Sequence, residues 1–270
     1  MLAAFSNWLL ALHTAMVGVL ALVTGASLSA AGLLCAHHIL PASVRREHND
    51  VSGFILAIVG VIYAVLLAFT AVAVWQSYGD AENLVQTEAN LAGDLYRDTV
   101  AFPEATAAVL RNSLFVYAEV VIQDEWPGLA AGTLNDAAGW QLLDRFHTEL
   151  LQLHTTDPGL ILAQANMVRT LNQLYDARRG RFHAASARLP DILWWNLIAG
   201  AIILMIFTYL FGVSKLGMHV AMVSLLGGMI GLVLALIVLL SNPFRGQSHV
   251  SVEPFNALTQ AVEQMAYPHP

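Results

Sequence analysis

The hydrophobic pattern of the chain is dominated by four long stretches that contain no Asp, Glu, Lys or Arg. Two precede a polar middle and two follow it, at residues 1–44, 51–79, 192–214 and 216–244. A hydrocarbon core about 30 Å thick needs roughly 20 apolar residues in a helix, and each stretch reaches that length. The pattern therefore predicts four transmembrane helices arranged as two hairpins.

The polar middle is predicted to be helical, because it shows no period-two alternation of β-branched residues. The second span is expected to continue as one helix from Gly53 to about Arg97. Asp157 and Pro158 suit the start of a later helix, with Leu162 facing inward, and Trp126-Pro127-Gly128 is expected to end an earlier one. The predicted fold is an all-α integral membrane protein with a first hairpin, a water-soluble helical insert, a second hairpin and a tail, at 1–79, 80–189, 190–244 and 245–270.

Composition narrows the function classes. The chain is 57% hydrophobic and 11% charged, with a mean hydropathy of +0.61, which is typical of a membrane protein. Pumps, proton-coupled carriers and voltage sensors depend on ionisable groups inside the bilayer. The four stretches contain no Asp, Glu, Lys or Arg, and only His13 and His219 are considered as groups that could titrate there. The insert has 14 acidic and 8 basic residues, so nucleic acid is not an expected partner. The function classes that remain compatible with the sequence are passive conduction and a purely structural role.

Basic residues near the span ends give the expected orientation. Five arginines lie on the side of the insert and the tail, against three basic residues at the hairpin tips. The first set is Arg178, Arg179, Arg181, Arg188 and Arg245, and the second is Arg45, Arg46 and Lys215. The excess predicts a cytoplasmic insert and termini in a bacterial inner membrane. The arginines before the third span are interpreted as an anchor to anionic lipid head groups.

The second span could line a pore, because its bulky residues fall in rows at helical spacing. One row holds Ile58, Ile62 and Leu66, and the next includes Val65 and Phe69. Such a row can form a dry constriction in an oligomer, although contact with lipid alone also explains it. Four helices per subunit cannot enclose a wide aqueous path, so a homo-oligomer is expected.

Small residues in the fourth span predict a close helix contact. Gly227 and Gly231 have the spacing that lets two helix backbones approach, and Gly228 lies between them. The sequence leaves open whether the partner helix belongs to the same chain.

An enzyme is not predicted, because no catalytic or cofactor-binding signature is found. His147 and His154 have the wrong spacing for a zinc-binding helix, and neither a phosphate-binding loop nor a nucleophile elbow is present. No metal or cofactor is expected, and the expected surroundings are membrane lipid.

Several short motifs resemble one bacterial family. They are spread over most of the chain, from the end of the second span to the tail. Their leading residues are Trp75, Tyr78, Glu88, Arg97, Glu125, Trp126, Pro127, Pro243 and Phe244. Together they resemble the bestrophin-like domain membrane proteins. Ser241 departs from the acidic residue expected two positions before the Pro-Phe pair.

The resemblance implies a fold and a function. Bestrophins proper are pentameric anion channels whose second span lines a hydrophobic neck and whose helical domain lies in the cytosol. By analogy this chain is expected to be a channel for small anions, with Glu88 and Arg97 near the cytosolic end of the pore helix. The alternative is a non-conducting scaffold that recruits a partner through its acidic insert. Structural roles for Glu88, Arg97 and Glu125 are also open.

Overall fold

The computed structural model describes residues 12–39, 49–133 and 136–266. Arg45 and Arg46, which were used to predict the orientation, lie outside the described residues. The all-α class is confirmed, since the described part of the chain contains helices and turns but no strand. Its α-helices are α1 (Thr14–Ile39), α2 (Asn49–Asp98), α3 (Glu104–Val120), α4 (Trp126–Ala131), α5 (Ala137–Leu151), α6 (Pro158–Ser186), α7 (Asp191–Tyr209), α8 (Leu216–Leu240) and α9 (Glu253–Ala266).

Among the residues that the structure describes, five helical segments are long and apolar enough to cross a membrane. They are Thr14–Ile39, Val51–Ala101, Glu104–Ala131, Pro158–Tyr209 and Leu216–Leu240. The sequence analysis predicts a span in every one except Glu104–Ala131. That segment buries much of its apolar face in a protein core, including Leu110, Leu114 and Val121.

The chain divides into two compact units. Unit 1 comprises the described residues within 1–77, 188–242 and 246–248. Its closest helix pair is α1 and α8, where a Cβ on Gly227 would lie 1.8 Å from Ser29 Oγ and 2.7 Å from Gly25 O. Only glycine permits that approach, so the small-residue face of the fourth predicted span packs on a helix of the same chain.

Unit 2 comprises the described residues within 78–187, 243–245 and 249–270. Its core includes Val85 from α2, Tyr117 from α3, Phe146 from α5, Leu171 from α6 and Phe255 from α9, all fully buried. Five helices thus share one hydrophobic core, which gives unit 2 the anatomy of a folded domain.

The helix boundaries partly match the predictions. α2 runs without a break from Asn49 to Asp98, as expected. α6 begins at Pro158, and Asp157 caps it by accepting a hydrogen bond from Gly159 N at 2.8 Å. Leu162 was predicted to face inward but is exposed, because it lies on the face of α6 opposite Leu160 and Ala163, which pack against the core.

The predicted helix end at Trp126-Pro127-Gly128 is wrong. A π-helical turn at Val121–Glu125 joins α3 directly to α4, and Pro127 fits because the first turn of a helix needs no hydrogen bond from its nitrogen. The helix ends instead at Gly132, whose φ of 78° is the left-handed conformation that glycine adopts readily.

Candidate functional site

Within unit 1, Tyr63 fixes which side of α2 faces the protein. Its hydroxyl donates a hydrogen bond to Leu197 O at 3.1 Å. Its ring lies against Gly200, where a Cβ would come within 2.5 Å of Tyr63 Cδ2. Val74, one and a half heptads later, is buried with Leu197 and Ile237. Tyr63 and Val74 thus hold one face of α2 against the helices that surround it.

Four of the five predicted neck residues share the outward face of α2. Ile58, Ile62, Val65 and Phe69 are 48%, 65%, 48% and 73% exposed, respectively. Their spacing of four, three and four residues places them in one stripe along the helix. This stripe is named the neck face.

Leu66 does not share the neck face. It is partly buried and packs against two hydrophobic clusters of unit 1, including Tyr63 and Leu197. One position after Val65 is a rotation of about 100° around the helix, which turns Leu66 toward the protein. Leu66 is therefore left out of the neck face, and its assignment as a neck residue stays a prediction.

Unit 2 contains a fully buried group of charged side chains, Glu88, Glu125, Arg178 and Arg181, together with Tyr117. It is named the ionic cluster. Arg181 donates to Glu88 through Nε at 2.6 Å and Nη2 at 3.0 Å, and Nη2 also donates to Glu125 Oε2 at 2.7 Å. The Tyr117 hydroxyl donates to Glu88 Oε1 at 2.5 Å. Two helices, α2 and α6, are joined in this way.

The second pair of the ionic cluster joins α6 to the π-helical turn. Arg178 donates to both oxygens of Glu125, at 2.5 and 3.0 Å, and to Asp136 O at 3.0 Å. A Cβ on Gly139 would lie 2.3 Å from Arg178 Nη2 and 2.4 Å from Glu125 Oε1. Only glycine at position 139 therefore lets the start of α5 approach the Arg178–Glu125 pair this closely.

Aromatic rings enclose the two guanidinium groups. The Arg178 guanidinium carbon lies 5.0 Å from the ring centres of both Trp140 and Phe182. The Arg181 carbon lies 4.7 Å from the Phe182 ring and 5.8 Å from the Trp126 ring. These distances fit cation–π contacts, so the cluster is shielded from water on several sides.

The electrostatics keep Arg181 and Tyr117 in their hydrogen-bonding forms. Burial alone would lower the pKa of Arg181, but the charge and hydrogen bonds of Glu88 and the charge of Glu125 outweigh it and raise the pKa. Burial raises the pKa of Tyr117 well above its usual value, and the neighbouring Glu88 carboxylate adds to the shift. Tyr117 therefore stays a hydrogen-bond donor.

This cluster corrects the interpretation of two of the arginines before the third predicted span, whereas Arg179 and Arg188 are exposed. Arg178 and Arg181 are fully buried and cannot touch lipid head groups. A signal was present in the sequence, since these two residues continue the buried spacing of Leu171 and Leu174 along α6. Glu88 likewise continues the inward face of α2.

The remaining predicted residues of α2 lie apart from the cluster. Trp75 is exposed, and Tyr78 is partly buried against the core of unit 2. Arg97 is exposed and pairs with Asp94 one turn away. Glu88 and Arg97 are therefore not partners.

The later motif residues meet around Trp126. The Phe244 ring packs edge-on to it with centres 5.7 Å apart, and the Phe255 ring lies 6.5 Å away. Pro243 is buried, and its carbonyl accepts a hydrogen bond from Val250 N at 2.7 Å. Pro127 is exposed in the first turn of α4. The tail segment is thus part of the core that surrounds the ionic cluster.

The chemistry of the two sites differs. The ionic cluster has two positive and two negative charges that compensate one another, so it holds helices in place and offers no net charge to a ligand. The neck face is apolar and exposed, so it can meet lipid, another subunit or a narrow pore.

Comparison with known proteins adds the family and the fold. A family model described as the bestrophin-like domain matches residues 23–255, which confirms the resemblance seen in the motifs. No curated protein sequence matches the chain.

Solved structures with the same fold come from bacterial bestrophin homologues of Klebsiella pneumoniae. One, solved by zinc phasing, is 16% identical over 93% of this chain and 99% of its own, with a TM-score of 0.63. Two variants are each 15% identical; one covers 91% of this chain and 99% of its own with a TM-score of 0.64, and the other covers 92% and 98% with 0.65. At such identities the likeness establishes the fold alone.

Proposed function

Because the chain belongs to the bestrophin-like domain family, we propose that it is a homo-oligomeric ion channel with the neck face of α2 lining a hydrophobic constriction. The family and the apolar helices make it a multi-pass membrane protein. The observation that carries the proposal is an apolar stripe that stays exposed while Tyr63 and Val74 hold the opposite side of α2 in the protein.

In the proposed layout four segments cross the membrane: α1, the first part of α2, α7 and α8. The segment Glu104–Ala131 is assigned to the insert, since its apolar side chains are accounted for by the core of unit 2. Charged groups that cluster within that core, such as Glu125 and Arg178, also suit a water-soluble domain better than a bilayer.

The orientation is proposed from the family layout. With Arg178 and Arg181 buried, the basic residues left near the span ends no longer favour either side. By analogy with bestrophins, the insert and termini are placed in the cytoplasm of a bacterial inner membrane. Small anions are the proposed permeating ions, and a pentamer the proposed assembly, on the same analogy.

The apolar character of the neck face defines how such a channel would open. A ring of Ile62 and Phe69 side chains excludes water when narrow and fills when slightly wider. No Asp, Glu, Lys or Arg lies between residues 51 and 79, so the constriction would control passage by wetting, without charge.

The test is halide flux into liposomes that contain the purified protein. Ile62→Ala and Phe69→Ala shorten the side chains of the neck face and should raise the flux above wild type. Leu225→Ala is the matched control, because Leu225 is equally exposed and apolar but lies on α8, and its flux should equal that of wild type. No flux above empty liposomes in any variant would contradict the channel and favour the scaffold.

A further inference from the structure

The exposed face of α2 changes character in unit 2. Between Glu82 and Arg97 its exposed residues are uncharged and polar: Asn83, Gln86, Thr87 and Asn90. The opposite face is buried and includes Val85 and Glu88. Asn83, Gln86 and Asn90 are named the amide stripe.

The amide stripe lies on the same exposed side of α2 as the neck face. Asn83 and Asn90 follow Ile62 and Phe69 at multiples of seven residues along one unbroken helix, and Gln86 follows Ile58 and Val65 in the same way. Seven residues fall about 20° short of two full turns, so the amide stripe is rotated by about 60–80° from the neck residues that it follows. Both stripes still lie on the side of α2 away from the buried Tyr63, Val74 and Val85. A face of α2 that is directed toward an axis of subunits therefore presents first apolar side chains and then amides.

The amide stripe is open rather than covered. Gln86 and Asn90 line a groove of about 510 Å³ together with Glu82 and Arg97, and its other wall lies between Val250 and Ala261 and includes Glu253. Gln86 Nε2 donates to Asn90 Oδ1 at 2.9 Å, so the two amides form one polar surface. The groove has space for hydrated ions beside the stripe.

We propose that the amide stripe lines the ion path along the part of α2 that belongs to unit 2, where a charge placed on the stripe sets which sign of ion is favoured. The inference rests on the proposed function and deepens it. An amide offers both a donor and an acceptor and has no net charge, so the stripe itself adds no fixed charge to those of Glu82, Arg97 and Glu253 in the same groove. Position 90 is then where a single added charge, repeated in every subunit, decides which sign of ion is favoured.

The size of the effect follows from Coulomb's law. One unit charge about 6 Å from a passing ion in water changes its local concentration by about threefold, and equivalent charges from several subunits multiply. Asn90→Asp should therefore raise the cation-to-anion permeability ratio by at least about threefold. Asn90→Arg should lower it by at least the same factor, and Asn83→Asp should repeat the shift toward cations at a second position.

The experiment measures reversal potentials in planar bilayers under a KCl gradient, with the full-length protein. Asn172→Asp is the matched control, since it makes the same substitution at an exposed site on α6 and should leave the ratio unchanged. Each variant is first checked for native helix content and oligomer size.

Opposite shifts for Asn90→Asp and Asn90→Arg, with none for Asn172→Asp, support the inference. Currents that persist with an unchanged ratio, or an equal shift in the control, overturn the inference while leaving the channel intact. A folded Asn90→Asp protein that loses its oligomer assigns the stripe to a subunit contact and also overturns it. Absence of current in wild type and in both neck variants overturns the proposed function itself.

Discussion

Removing one charge from the ionic cluster should strongly destabilise unit 2. Glu88→Gln keeps the shape of the side chain but leaves two buried guanidinium groups facing one carboxylate. Removing the charge of one partner in a buried ion pair lowers the free energy of unfolding by about 3–5 kcal/mol. Glu88 loses its charge at 2.6 Å from Arg181 Nε, and both side chains are fully buried, so the upper part of that range is expected.

The charge balance can be restored by a second substitution. Arg181→Met removes the partner of Glu88, so the double variant again has equal buried charges. Its cost should be no greater than that of either single variant, whereas independent effects would sum to about 6–10 kcal/mol. A coupling of this size identifies a compensated charge pair rather than two separate packing contacts.

The assay is hydrogen exchange of α6 amides in the full-length protein in detergent micelles. A loss of 3–5 kcal/mol speeds exchange through unfolding of unit 2 by at least about a hundredfold. Glu104→Gln is the control, because the Glu104–Arg111 pair is largely exposed and should cost less than about 1 kcal/mol. The reasoning is refuted if Glu88→Gln behaves like Glu104→Gln, or if the two single effects simply add.

Three further predictions test close contacts and one ionisation. Gly227→Ala puts a methyl group 1.8 Å from Ser29 Oγ, so thermal melts should show a less stable protein, and a native melting temperature would contradict the close contact. Gly139→Ala puts a methyl group 2.3 Å from Arg178 Nη2, so it should speed hydrogen exchange of the α6 amides as Glu88→Gln does. Unchanged exchange would count against the close packing of Gly139 on Arg178. Burial raises the pKa of Tyr117 well above 10.0, so its proton contributes stability that is complete below pH 10 and falls as the pH rises further. Tyr117→Phe should flatten the alkaline decline in denaturation curves, and an unchanged slope would argue against the shift.

Much of the architecture could be predicted because long helices are encoded locally. The absence of a strong breaker between Gly53 and Arg97 sufficed to predict α2, and Asp157 with Pro158 was enough to predict the start of α6. The end of α3 could not be predicted in the same way. A π-helical turn has no local sequence signature comparable to a cap, and it is stabilised here by the burial of Glu125 between two arginines.

The ionic cluster could not be predicted without knowledge of the tertiary contacts. Glu88 and Arg181 are 93 residues apart, and a basic run before a span is typical of a lipid anchor. The inward spacing of Leu171, Leu174, Arg178 and Arg181 was visible in the sequence, but an amphipathic helix with arginines on its apolar face is normally unfavourable. Only the carboxylates supplied by other helices make that arrangement stable.

The most direct test of the account asks whether Phe69 lines an ion path. The chain contains one cysteine, Cys35, so Cys35→Ser provides a clean background for Phe69→Cys. A thiol-reactive cationic reagent added during bilayer recording should alter the current through Phe69→Cys channels and leave unchanged that through Leu225→Cys channels, whose exposed side chain lies on α8. Currents in Phe69→Cys that ignore the reagent, or an equal response in Leu225→Cys, would contradict a pore lined by the neck face.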